Sequence, residues 1–277
     1  FNATEKKKQS LEYVVKENGN FTFMVDEDKN WKEFIDERVR HVFIDQKYKN
    51  ASGERTSPWP TKTKGYLAVN KNHLDSSTKL NIGPEMGIGY ELGQWLSRNS
   101  ANDDEEIMLL KVCTGGVSLG WDLLPKGSKS FKKYNETSKS NWIYAGHGES
   151  PVRWEEGTEP VPLTNDNGNT NPKFNAGFQY DGDVQRAKDV LQNLTGYYYG
   201  EDEVTEGSDF EYEYDVAGFF WWQGDADRYN VGGPAIKRKL KADIGNVYAD
   251  RYEENLKVLI QDLRNTFNAP NAPFVLA

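Results

Sequence analysis

Runs of large apolar residues, interleaved with stretches of helical periodicity, constrain this chain more than any other feature. His41-Val42-Phe43-Ile44, Ile107-Met108-Leu109-Leu110-Lys111-Val112 and Val216 to Trp222 read as strands. An apolar run without alternation is what a strand covered on both faces requires, and such strands belong to parallel sheets. Between them, Pro84 to Leu96 reads as a helix with Pro84 at its first position and Glu85 near its positive end. Val184, Ala187, Leu191 and Leu194 recur at helical spacing, and Tyr248, Tyr252, Leu256, Leu259, Ile260, Leu263 and Phe267 form one apolar stripe. Pro270 and Pro273 stop that last helix, and Phe274-Val275-Leu276 begins a further strand. Strands alternating with amphipathic helices imply right-handed crossovers and a mainly parallel sheet with helices on both faces, so the fold class is α/β. A single domain over residues 1–277 is expected, with the polar stretch from Gly120 to Asp181 as a long loop insertion over the strand ends.

Charge and composition narrow the partners. The net charge is −9 and no concentrated basic surface is visible, which argues against nucleic acid, where Lys and Arg must neutralise many phosphates. Lys237, Arg238 and Lys239 read as a solvated face beside a turn. No apolar run approaches the ~20 residues that cross a bilayer, so no membrane partner is expected. Cys113 is the only cysteine, which excludes an intrachain disulfide. Sequons at Asn2, Asn20, Asn50, Asn135 and Asn193 favour an extracellular or secretory setting. The chain has 8 Trp and 15 Tyr, flat amphipathic rings that stack on sugar faces as readily as they fill cores.

Chemistry gathers where the third apolar run breaks, at Trp222-Gln223-Gly224-Asp225-Ala226-Asp227. Ligands of open α/β sheets bind just past the carboxyl ends of strands. The Gln223 amide offers two N–H donors and no titratable proton, which suits stabilisation of an oxyanion. Asp225 and Asp227, with Asp181 and Asp183, have no recognised metal-ligand spacing and read as solvated turn carboxylates; no metal or other cofactor is implied. Gly87-Ile88-Gly89 lacks the third glycine of a dinucleotide loop, since Leu92 stands there. Ser118 lacks the elbow that exposes a nucleophilic serine and reads as a structural hydroxyl. Of the histidines, His41 opens a strand, His73 lies in a polar loop, and His147 stands in the stretch expected over the site.

Four blocks in order carry a resemblance. Asn81-Ile82-Gly83-Pro84-Glu85-Met86-Gly87-Ile88-Gly89, Val112-Cys113-Thr114-Gly115-Gly116-Val117-Ser118-Leu119, Phe220-Trp221-Trp222-Gln223-Gly224-Asp225-Ala226-Asp227 and Tyr252-Glu253-Glu254-Asn255-Leu256 leading to Pro273-Phe274-Val275 span nearly the whole chain. Together they resemble the sialate O-acetylesterase-like carbohydrate esterases, a branch of the SGNH hydrolases. The resemblance implies a three-layer α/β/α flavodoxin-like sandwich and a serine esterase acting on acetylated carbohydrate. By the same resemblance Gly115 or Gly116 and Gln223 match the oxyanion-hole donors. Glu85 lines or braces the pocket, Trp222 and Trp121 contact substrate, and Asp225 stands where the family has a longer Glu.

The Gly-Gln-Ser-Asn block that carries the family's nucleophile and the Asp-x-x-His block that carries its base do not occur in the sequence. The expectation is an internal fragment of a longer esterase, inactive by itself. The alternative is a catalytically dead relative that binds glycans through Trp121, Trp142, Trp154 and Trp222.

Overall fold

The computed structural model describes residues 10–32, 35–44, 61–63, 67, 83–99, 105–164, 167–194, 213–229 and 247–277. His73, Asn81-Ile82, Lys237 to Lys239 and the sequons at Asn2 and Asn50 lie outside the described residues. The chain is mixed α/β and gathers into two compact units. The first takes Phe1–Gln46, Pro58–Val112 and Asp189–Tyr212, and the second Lys47–Ser57, Cys113–Lys188 and Glu213–Ala277.

In the first unit, β1 (Val39–Ile44) is the middle strand of a three-stranded sheet. It runs antiparallel to β2 (Thr61–Thr63) and, past the helix α1 (Glu85–Asn99), parallel to β3 (Ile107–Val112), with Val39 opposite Ile107 and Ile44 opposite Val112. The two apolar runs therefore pair as parallel strands, as their lack of alternation predicts. Successive β1 side chains point to opposite faces, and each face finds its own cover. Val39 packs with Leu67, Met86, Ile107 and Leu109. Val42 and Ile44 pack with Met108, Leu110 and Val190, the last from a helix that comes much later in the chain. Val39, Val42 and Ile44 are fully buried, each contributing about 1.5–3 kcal/mol of apolar transfer free energy. Gly89 permits the close approach of α1, because a Cβ there would stand 2.2 Å from Leu67 Cδ2 and 3.1 Å from Val39 Cγ1.

The second unit differs from the expected loop insertion. Phe131–Asn135 (β4), Ser140–Tyr144 (β5) and Arg153–Glu155 (β6) form an antiparallel sheet in the order β4-β5-β6. Its strands are short and largely polar, which hides their period of two in the sequence. The burial that holds them is aromatic. Trp121, Tyr144, Val152 and Tyr248 form a core on which Phe131, Trp142 and Trp154 pack, and the Phe131 and Tyr144 rings stack at 5.1 Å.

Helix α2 (Phe178–Gln192) starts one and a half turns before the periodic stretch that announced it. The third apolar run yields only the strand β7 (Phe219–Trp221), which is followed by the single-turn helices α3 (Asp225–Tyr229) and α4 (Val247–Asp250). The closing stripe becomes α5 (Tyr252–Thr266), separated from α4 at Arg251, with Glu253 and Glu254 in its first turn and Arg264 in its last, where each sign suits the helix dipole. The Arg264 guanidinium donates to the Ala272 carbonyl at 2.7 and 3.0 Å and fixes the turn into β8 (Phe274–Leu276).

Strands β7 and β8 pair in parallel, Phe219 opposite Phe274 and Trp221 opposite Leu276. Trp221 and Phe274 pack on a second core built from Leu119, Leu123, Tyr180, Leu256 and Leu259. Coverage of both faces, expected for this run, is not found: Phe220 is 51% and Trp222 71% exposed.

Between Leu119 of one core and Trp121 of the other stands Gly120, where an added Cβ would lie 2.4 Å from the Tyr248 ring and 2.6 Å from its Cβ. Tyr248 is buried and those atoms sit close to its backbone, so they cannot swing away. Gly120→Ala is expected to lower stability by about 1–3 kcal/mol, read as a lower urea midpoint with an unchanged slope.

Candidate oxyanion site

A glycine-rich turn leaves backbone N–H groups that need acceptors. In the second unit Gly115-Gly116 leads from the end of β3 into such a turn, and Gly116 has φ +75°, a left-handed conformation that glycine adopts without steric cost. Two donors of this segment converge on one carboxylate. Leu119 N–H donates to Asp227 Oδ2 at 2.8 Å and Gly120 N–H to Asp227 Oδ1 at 2.7 Å. The third donor is the Gln223 amide, whose Nε2 is 2.7 Å from Asp227 Oδ2 and 2.9 Å from the Val117 carbonyl oxygen. Asp227 and Gln223 stand four residues apart, Asp227 in the first turn of α3 and Gln223 in the segment that leads into it. The Gly-Gly block and the Trp-Gln-Gly block, far apart in sequence, are thereby joined.

Asp227 corrects the sequence reading. Expected as a solvated turn carboxylate, it is 3% exposed. Burial pushes its pKa above the ordinary carboxylate value, while hydrogen bonds from Gln223, Leu119 and Gly120 pull the other way. A carboxylate there acts as the structural anion of the turn.

Gln223 uses both amide hydrogens in this arrangement, and its Oε1 is buried without a hydrogen-bond partner. The acceptors on the other side fix which end of the amide is nitrogen. Its backbone is clamped too, since Tyr252 Oη donates to the Gln223 carbonyl at 2.6 Å and receives Trp221 Nε1–H at 3.1 Å. Burial raises the Tyr252 pKa, so the phenol stays protonated as a donor. Gly115 is exposed, makes no hydrogen bond among the described residues, and has nothing within 4 Å of where a Cβ would stand. Its N–H is available to a ligand.

The remaining expected site residues divide. Trp222 is largely exposed beside Gln223 and can meet a ligand, and Asp225 is exposed at the start of α3. Trp121 cannot serve as a stacking platform: it is 2% exposed and forms part of the aromatic core. Glu85 belongs to the first unit, where it opens α1 and accepts from Lys111 Nζ at 3.0 Å, a buried brace at the positive end of a helix.

Ser118 is buried, and its N–H and hydroxyl both donate to Asp122 Oδ2, at 2.8 and 3.1 Å, which makes it a structural hydroxyl. His147 Nε2 lies 3.1 Å from Asp181 Oδ1, and the ring closes over Gly177, whose added Cβ would meet His147 Cδ2 at 2.3 Å. Asp181 is also 3.8 Å from Lys126 Nζ, and Asp183 accepts from Gln179 and Arg186. Among the described residues no three His, Cys, Asp or Glu side chains gather as a metal site, and no helix is long and apolar enough to cross a membrane.

The residues that reading from sequence missed are Asp227 and Tyr252. The first had a signal in its Gln-x-x-x-Asp spacing from Gln223; the second was read as one more apolar member of the α5 stripe. Compared with protein-family models, curated proteins and solved structures, the chain matches none.

Proposed function

We propose that this chain is the oxyanion-binding part of a carbohydrate O-acetylesterase of the sialate O-acetylesterase-like kind, built as a flavodoxin-like α/β/α sandwich. The observation that carries the reading is the Asp227 junction. It joins the Gly115 to Gly120 turn to the end of β7 and sets the exposed Gly115 N–H in the same turn as the carbonyl held by Gln223. The parallel pairs β1/β3 and β7/β8 are in keeping with the sheet this fold requires.

In the proposed chemistry a serine hydroxyl adds to the acetyl carbonyl, and a histidine takes its proton and returns it to the departing sugar oxygen. Water then releases acetate from the serine. The given sequence supplies the charge-stabilising side of this cycle. The carbonyl oxygen, once negative, receives the Gly115 N–H and draws one Gln223 hydrogen from the neutral Val117 carbonyl, because a charged acceptor makes the stronger bond. Trp222 offers an exposed ring for the sugar. The exposed sequon asparagines Asn20 and Asn193 fit an extracellular or secretory setting.

The test is acetate release from acetylated xylan and acetylated sialic acid by the full-length protein that carries this chain, alongside longer acyl esters. Acetate release that falls in Gln223→Ala supports the reading. No release from any acetylated sugar overturns it.

A further inference from the structure

A second concave surface lies in the same unit and shares no residue with the Gln223 site. It is a groove of about 420 Å³ between the end of β6 and the loop before α2, lined by Glu149, Ser150, Trp154, Pro160, Pro162 and Asn175, with Thr170 at its side. That volume falls within the roughly 300–1,000 Å³ of small-ligand sites. The platform is Trp154, whose ring is held on one side by the aromatic core and is partly exposed on the other. Its indole N–H makes no hydrogen bond among the described residues and is not buried.

The polar groups around the ring are placed and unspent. Glu149 Oε2 accepts the Gly146 N–H at 2.7 Å, which fixes the carboxylate and leaves Oε1 to a ligand. Ser150 Oγ accepts the Leu163 N–H at 2.9 Å and keeps its own hydrogen. The Asn175 amide and the Thr170 hydroxyl make no internal hydrogen bond among the described residues. The proline walls hold the rim with no side-chain entropy to lose.

We propose that this groove binds a neutral saccharide, one sugar face on the Trp154 ring and its hydroxyls on Glu149, Asn175 and Thr170. The chemistry selects that class. A pyranose has an apolar C–H face that a flat ring matches and hydroxyls around its edge. Adjacent hydroxyls pair with planar groups: a carboxylate oxygen accepts, and an amide accepts through oxygen and donates through nitrogen. No Lys or Arg lines the groove, and the Glu149 carboxylate repels anions, so phosphate, uronate and sialate are disfavoured. One aromatic ring is too few for a cage around an organic cation.

Calorimetric titration of the protein with unacetylated xylo-, manno- and cello-oligosaccharides tests this. Binding of at least one series with a Kd on the order of 1 mM or tighter is expected, weakened roughly tenfold or more by Trp154→Ala. Since Trp154 packs on the core, Asn175→Ala and Glu149→Gln serve as variants at the rim that keep the fold. Each should weaken binding by about fivefold with an unchanged thermal midpoint. No binding of any neutral series, binding unmoved by all three variants, or binding of a proline-rich peptide in place of the sugars would overturn the proposal. The ligands carry no acetyl ester, so this result and the esterase assay succeed or fail separately.

Discussion

Asp227→Ala should cost the protein about 3 kcal/mol or more. The substitution strands three donors, the Leu119 and Gly120 N–H groups and the Gln223 amide, in a place nearly closed to water. Each buried donor left unmet costs about 1–3 kcal/mol. A urea titration giving a loss under about 1 kcal/mol would mean that those N–H groups find other partners.

The same residue gives an unusual pH signature. Because burial raises its pKa in the folded protein, the folded form keeps this proton to a higher pH than the unfolded chain does. As pH climbs from the ordinary carboxylate value through the raised one, the unfolded state releases the proton first, and stability from this group declines. Most carboxylates in folded proteins act in the other direction. Asp227→Asn should remove that decline, so the difference in urea midpoint between parent and variant should narrow as pH rises from about 3 toward 7.

On the esterase reading proposed above, Gln223→Ala in the full-length protein should lower kcat for acetyl-ester hydrolysis by about 10²–10³-fold, the usual loss when one oxyanion donor is removed. A side chain that also holds the Val117 carbonyl could lose activity by loosening the turn, and the two effects are separable. A donor role lowers kcat and kcat/KM together with little change in thermal midpoint, whereas a bracing role lowers the midpoint and raises KM. Gln223→Glu sharpens the contrast. It sets a second carboxyl group beside Asp227, and two such groups at 2.7 Å cannot both be ionised, so the variant should recover activity only as pH falls.

What could be read from the residues alone, and what could not, follows from where the stabilising forces sit. The parallel pairing of β1 and β3 was legible because both carry consecutive apolar residues without strict alternation, which supplies Val39 to one face of β1 and Val42 and Ile44 to the other. Helix α5 was legible because one stripe of Leu, Ile and Tyr serves one core. The β4-β5-β6 sheet was not, since its strands are short, their outward positions polar, and their inward positions held by aromatic side chains such as Phe131 and Tyr144, too few per strand to show a period of two.

At the site, Gln223 stood out by its amide chemistry and its place at the end of a strand, and Gly115 or Gly116 by resemblance alone. The carboxylate that ties Gln223 to the Leu119-Gly120 backbone did not. A carboxylate in a polar turn looks the same in sequence whether water or backbone N–H groups surround it, and only the fold put Leu119 and Gly120 against Asp227. Trp121 failed for the converse reason, because an indole that could stack on a sugar is equally good at filling a core.

The route of the chain through its two units also bears on how it is made. Val42 and Ile44 of β1 and Met108 and Leu110 of β3 are closed over by Val190, which leaves the ribosome long after they do. Domains emerging during synthesis fold once their contacts are complete, and the first unit lacks that cover until the segment from Asp189 appears. Until then Val42 and Ile44 lack, among the described residues, the one fully buried partner that packs on them from outside the sheet. That is a stretch a chaperone would hold, and a chain halted before Asp189 should aggregate more readily than the whole one.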